Sequence, residues 1–216
     1  NIVLHPERLE QPLHWRKPRR IFVCSISDLF HKDVPLDYIK KVWEVMSQAH
    51  KRNGHIFMVL TKRPERMAKA LGPEGFGWYA TEGPVPHPEP GIWLGVSAEN
   101  QHWADKRIPI LLTIPAAKRF VSLEPLLGPI DVRPFFYRCS GCGRVPCSCK
   151  GLAIQWVIVG GESGPGYRPM NTVWAGDIQR QCKEAGVPYF FKQRAAPRPG
   201  MLDSMPEDML IQEWPE

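Results

Sequence analysis

Trp156-Val157-Ile158-Val159-Gly160-Gly161-Glu162-Ser163 sets an unbroken apolar run directly against glycines, a carboxylate and a hydroxyl. So short a continuous run suits a strand buried on both faces, as in a parallel sheet. The same design recurs along the chain. Ile21-Phe22-Val23-Cys24 leads to Asp28, and Ile56-Phe57-Met58-Val59-Leu60 leads to Thr61-Lys62-Arg63. Ile92-Trp93-Leu94-Gly95-Val96 leads to Ser97, Glu99 and Asn100, and Phe120-Val121-Ser122-Leu123 leads to Glu124. Tyr189-Phe190-Phe191 closes the series on Lys192-Gln193. In a β/α barrel the carboxyl ends of all strands converge on one mouth, where active sites are built. Chemistry-capable residues after every strand point to such a mouth.

Between the strands the apolar period changes to that of helices. Tyr38, Val42, Val45, Met46 and Ala49 recur at helical spacing after Pro35, and Asn53-Gly54 supplies a left-handed stop. Further helices are expected from Pro64 through Leu71, around 101–113, and near 172–185 before Gly186. Strand starts near 21, 56, 92, 119, 155 and 187 are spaced as β-plus-α units of about 30 residues. Ile2-Val3-Leu4 is a candidate for one more strand. The fold class is therefore α/β, a TIM-like β/α barrel lacking its first unit. Residues 1–199 form the barrel domain, 133–151 a cysteine-rich insertion, and 200–216 an acidic carboxyl-terminal extension. The loop over 72–91, rich in glycine and proline, enters its strand from the end opposite the mouth and carries no catalytic role.

The chain's 216 residues suffice for one well-buried domain but fall slightly short of a full eight-unit barrel. With 43% apolar and 23% charged residues the composition is that of a globular protein. No apolar stretch approaches the roughly 20 residues of a membrane span, and no secretory apolar region is present, so a cytoplasmic setting without a membrane partner is expected. The net charge of +6 weakly favours anionic partners, nucleic acid among them. The chain opens on Asn1 rather than Met, so further residues upstream are expected.

Cys139-x-x-Cys142-Gly and Cys147-x-Cys149 fall within eleven residues. The first pair has zinc-knuckle spacing, and four thiolates complete a tetrahedral zinc site. The second pair departs from the common spacing; an iron–sulfur cluster is the alternative, and a disulfide pair is disfavoured in a reducing compartment. Structural zinc stapling an insertion that has no core of its own is the expected role. Cys24 and Cys182 read as small hydrophobes rather than nucleophiles.

The strand-end residues each carry two readings. Asp28 is a base or ligand, or equally the cap of a turn. Lys62 and Arg63 grip an anion or line a solvated loop. Glu99, Asn100 and Glu124 follow buried strands, so each carboxylate needs a cationic partner, which is Lys62, Lys192, a bound amine or a structural salt bridge. Gly160, Gly161, Glu162 and Ser163 allow a ligand close to the backbone. The segment is neither a phosphate-binding P-loop nor a dinucleotide-binding fingerprint.

Five segments in order carry a family resemblance: Ile21 to His31, Val59 to Arg66, Leu94 to Gln101, Phe120 to Gly128 and Val157 to Gly164. Together they resemble the phage and bacterial three-Cys-motif family, a domain of unknown function that is similar in turn to radical S-adenosylmethionine enzymes. The resemblance runs from about Leu4 to Gln193. It implies S-adenosylmethionine held by Ser97, Glu99, Asn100, Glu124, Gly160, Gly161, Glu162 and Ser163. Asp28, Lys62 and Lys192 would then face substrate or move protons. It also implies a [4Fe–4S] cluster on an amino-terminal cysteine trio. None of the six cysteines stands in that place, and Arg194 replaces an aromatic after Lys192-Gln193. Without the trio the chain as given would not cleave S-adenosylmethionine reductively. The competing expectation is a non-catalytic zinc-containing module that binds nucleic acid or a partner protein.

Overall fold

The computed structural model describes residues 2–24, 27–73, 75, 88–136, 154–203 and 207–216. Six strands alternate with helices: β1 (Arg20–Val23), α1 (Leu36–Asn53), β2 (Ile56–Thr61), α2 (Pro64–Leu71), β3 (Ile92–Ser97), α3 (Gln101–Leu111), β4 (Lys118–Leu123), β5 (Trp156–Gly160), α4 (Thr172–Ala185) and β6 (Tyr189–Gln193). The sheet order is β1-β2-β3-β4-β5-β6. Pairing is parallel where β1 meets β2, β4 meets β5 and β5 meets β6. The class is α/β, and among the described residues six strands stand where a complete barrel has eight. The chain divides into two compact units, Asn1–Gly95 with Thr113–Lys118, and Val96–Leu112 with Arg119–Glu216.

In the first unit, Pro35 stands just outside α1 as its N-cap. Gly54 ends the helix at φ 70°, and its N–H donates to His50 O. The buried stripe is Ile39, Trp43, Met46 and Ala49. It shares Met46 and Ala49 with the stripe read in the sequence, whereas Tyr38, Val42 and Val45 flank it, only partly covered. Both sets satisfy helical spacing, and the set that turns inward includes the large ring of Trp43. Residues 2–5 form no strand; Pro6 and Pro12 instead open short 3₁₀ turns, Pro6–Arg8 and Gln11–His14. Each proline lacks the N–H a strand ladder needs. Fully buried His55 pins this segment: its Nδ1 accepts from Arg19 N, so Nε2 carries the proton and donates to the Pro12 and Trp15 carbonyls.

In the second unit, Phe120, Trp156, Tyr189 and Phe191 fill the core with Ile178 and Cys182 of α4. α4 begins on Asn171, whose side chain accepts from Val173 N, and ends on left-handed Gly186. Buried Gln181 fixes the loop after β4, accepting from Val132 N at 2.8 Å and donating to Ile130 O at 3.1 Å. The acidic tail returns to β6. Phe191 N donates to Ile211 O, Glu213 N donates to Tyr189 O, and the Trp214 ring lies 4.7 Å from that of Trp156. No described helix is long and apolar enough to cross a membrane.

Candidate functional site

The second unit places three carboxylates in succession after its strands, each held by a cation. Glu99, two residues past β3, accepts from Arg107 Nη1 at 3.0 Å, and the same guanidinium donates to Ser97 O at 2.8 Å. Arg107 is 7% exposed and occupies the core stripe of α3 with Ala104, Ile108 and Leu111. A charge that deep is tolerated because both its partners are fixed. Asn100 starts α3, its Oδ1 accepting from Trp103 N, so this side chain serves as a helix cap.

Glu124, just past β4, accepts from Lys192 Nζ at 2.8 and 2.9 Å and from Gln193 Nε2 at 3.3 Å. Its side chain is 19% exposed, and that of Lys192 50%. A Cβ on Gly160 would lie only 3.4 Å from the Glu124 carboxyl, so glycine leaves that face of the carboxylate uncovered. Gly161 is tighter: a Cβ there would stand 2.1 Å from Ala195 N. The segment after β5 is stitched to the one after β6, with Gly161 N donating to Gln193 O, Ala196 N to Glu162 O and Gly164 N to Ala196 O. Ser163 pairs with Ala196 in a parallel bridge.

Glu162 accepts from Arg168 three times, from N and Nε at its Oε2 and from Nη2 at its Oε1, all at 2.8 Å. These bonds push the Arg168 guanidinium above its ordinary pKa, and the charge of Glu99 adds to the effect. In this solvent-exposed pair the fork geometry orients both groups more than it stabilises the fold.

The first unit holds a separate cluster. Asp28 Oδ1 accepts from Phe30 N at 2.9 Å and Thr61 Oγ1 at 2.8 Å, while Oδ2 accepts from Lys62 N at 3.2 Å and Arg63 Nη1 at 2.6 Å. Four donors occupy the roughly four lone-pair directions of a carboxylate. Of the two sequence readings, this geometry is that of a turn cap joining the ends of β1 and β2. Arg63, expected to grip an anion with Lys62, is engaged here. Cys24, at the end of β1, has φ 56°.

Cys139, Cys142, Cys147 and Cys149 lie outside the described residues. Among the described residues no group of three His, Cys, Asp or Glu is placed to hold a metal. Sequence reasoning passed over Arg107 and Arg168. An arginine among Ala104, Ile108 and Leu111 on an apolar stripe is the available signal for the first; Arg168, in a loop of glycines and prolines, offers none.

No curated protein and no solved structure matches the chain. A family model described as "Protein of unknown function (DUF5131)" matches residues 1–204. That match takes in every strand and every strand-end residue described above, and the chain belongs to the DUF5131 family of proteins of unknown function.

Proposed function

We propose that the strand ends of the second unit bind a small zwitterionic ligand of the S-adenosylmethionine class, in a barrel-like α/β enzyme. The observation that carries this reading is the Glu124–Lys192 pair, partly open to solvent beside the backbone of Gly160. A ligand with an ammonium and a carboxylate finds a complement for each in this one preformed pair. Glu124 accepts from the ammonium, Lys192 donates to the carboxylate, and Gln193 holds Glu124 in place. The carboxyl ends of parallel strands are where α/β folds place ligands. When bound, S-adenosylmethionine supplies an activated sulfonium carbon.

The iron–sulfur chemistry implied by the motif resemblance finds no ligand set among the described residues. Their two cysteines fall in separate units, and Cys182 is fully buried. Zinc held by Cys139, Cys142, Cys147 and Cys149 remains the reading for the insertion, supported by the spacing of the first pair. Metal analysis of the purified protein before and after chelation tests it, with about one zinc per chain expected.

The ligand reading is tested by calorimetric titration with S-adenosylmethionine and with S-adenosylhomocysteine, which keeps both charged arms. Glu124→Gln and Lys192→Met should each weaken binding by about tenfold or more, the scale of a lost charge-assisted bond. Unchanged melting temperatures would show that both variants still fold. Failure of the wild-type protein to bind either compound at about 1 mM, the limit of weak specific association, would overturn the assignment.

A further inference from the structure

We propose that a basic strip at the amino ends of β1 and β2, formed by Arg16, Lys17, Arg19 and Arg52, binds the phosphate backbone of nucleic acid. Between Glu10 and Asp28 the sequence holds no acidic residue, while Arg16-Lys17-Pro18-Arg19-Arg20 sets four cations around one proline. All five of these residues are exposed, as is Arg52. Arg52 joins them through the end of α1: a Cβ on Gly54 would lie 3.7 Å from Pro18 Cγ, and Gly54 is two residues from Arg52. Two residues of chain span at most about 7 Å, and the steps from Arg16 to Arg19 about 10 Å. One strand of duplex DNA carries a charge per roughly 3.4 Å of axis, so several phosphates face a strip of that length.

The backbone of the strip is fixed before any ligand arrives. Fully buried His55 accepts from Arg19 N and donates to the Pro12 and Trp15 carbonyls. Asn53 Nδ2 donates to Leu13 O, and Ile56 N donates to Arg19 O. Bonds on both sides of Arg16-Lys17 lower the ordering cost of binding. The cations themselves are not neutralised. Arg63, Arg107, Arg133, Arg168, Arg180 and Arg194 each meet an Asp or Glu. Among the described residues, by contrast, no carboxylate meets Arg16, Lys17, Arg19 or Arg52, and Glu89 is engaged by Lys51 at 3.9 Å. The Arg19 guanidinium lies over Trp15, 4.6 Å from the ring centroid. Stacking uses the face of a guanidinium, and the N–H donors in its plane stay available to a phosphate. Pro18 is the only apolar residue between Trp15 and Ile21, so the strip lacks the apolar centre of a protein interface. Contacts of this kind read backbone charge and not base sequence.

The test is fluorescence anisotropy with a labelled DNA duplex of about 20 base pairs and its single strand, between about 50 and 200 mM salt. Four phosphate contacts give a log–log salt slope near −3.6 on the duplex, about a 150-fold loss of affinity over that range. The single strand should give a shallower slope, about −2.8. Arg16→Gln, Lys17→Gln and Arg52→Gln should each reduce the duplex slope by about 0.9. Arg180→Gln is the charge-matched control: its guanidinium already faces Asp177, and the slope should not change. Surface substitutions of this kind alter stability by no more than about 0.5 kcal/mol, and unchanged melting temperatures check that each variant folds. Three results would each overturn the proposal. The first is no duplex binding at about 100 µM in about 50 mM salt, the weak end of non-specific association. Capture on phosphatidylserine vesicles in its place would mark a membrane surface as the partner. The second is strip variants that bind like wild type. The third is an Arg180→Gln slope lowered as much as that of Arg16→Gln, which would make the charge of the whole chain the cause. The strip lies in the first unit and the Glu124–Lys192 pair in the second. Titrating Arg16→Gln with S-adenosylmethionine therefore reads the two proposals separately.

Discussion

Gly161→Ala is the most direct test of how the strand ends of the second unit are assembled. The new Cβ would stand 2.1 Å from Ala195 N and 2.6 Å from both Ala195 Cα and the Arg194 carbonyl carbon. All three are backbone atoms, so no rotamer change relieves the clash. Moving from 2.1 Å to the 3.0 Å floor for a Cβ contact requires the segments after β5 and β6 to part by roughly 1 Å. That movement breaks the 2.8 Å bond from Gly161 N to Gln193 O and the 3.0 Å bond from Gln193 Nε2 to Gly161 O. Overpacking costs about 1–3 kcal/mol and each of the two lost bonds about 0.5–1.5 kcal/mol, so a loss near 4 kcal/mol is expected. For a chain of this length that lowers the melting temperature by about 10 °C. Urea denaturation followed by circular dichroism measures the free energy, and a thermal scan measures the temperature. Gly176→Ala is the internal control. There an added Cβ meets only the flexible end of Met209 at 3.2 Å, within α4, where alanine is favoured over glycine by about 0.8–1 kcal/mol. A Gly161→Ala protein within about 1 kcal/mol of wild type would refute the close-approach reasoning, because overpacking and the two lost bonds together cost at least about 2 kcal/mol.

Gln181→Leu should cost about 2–4 kcal/mol by leaving Val132 N and Ile130 O unpaired in the core, and amide exchange at Val132 should accelerate. Trp214→Ala removes the ring packed at a tilt on Trp156 and edge-to-face with Phe190 and should cost about 3 kcal/mol, with new proteolytic cleavage in the tail as the confirming readout. Hydrogen bonds from Arg194 hold Asp203 below the ordinary carboxylate range, and hydrogen bonds from Arg133 do the same for Asp131. A depressed folded-state pKa contributes stability that is present above the unfolded value and lost as pH falls through the folded one. Loosening of the 194–203 segment should therefore appear only below about pH 4, followed by amide exchange at Arg194. Burial, with a smaller effect from the Glu213 charge, pushes the Cys182 thiol far above its ordinary pKa. Peptide mapping after iodoacetamide treatment at about pH 8.5 should find Cys182 alkylated only in denaturant.

Local periodicity carried much of the fold. The helix at Pro64–Leu71 and that at Thr172–Ala185 stand where spacing placed them, as do the six strands, because a buried strand and an amphipathic helix each write a distinct apolar period into a short window. The stripe of α1 was offset because two sets of residues satisfy the same helical period, and packing chooses between them. The supposed strand at Ile2-Val3-Leu4 failed because three apolar residues signal little without a ladder partner, and Pro6 follows at once.

Polar chemistry after every strand is likewise a property of the sequence alone, as Gly160-Gly161-Glu162-Ser163 shows most plainly. Which cation answers which carboxylate was settled only by tertiary structure. Glu124 meets Lys192 across 68 positions, Arg107 reaches back from a helix to Glu99, and Asp28 is satisfied by a strand that begins after α1. The physical reason is range. Backbone propensity and burial period act over a few residues, whereas an ion pair forms wherever strand register and helix rotation bring two side chains within about 3 Å, whatever their distance along the chain.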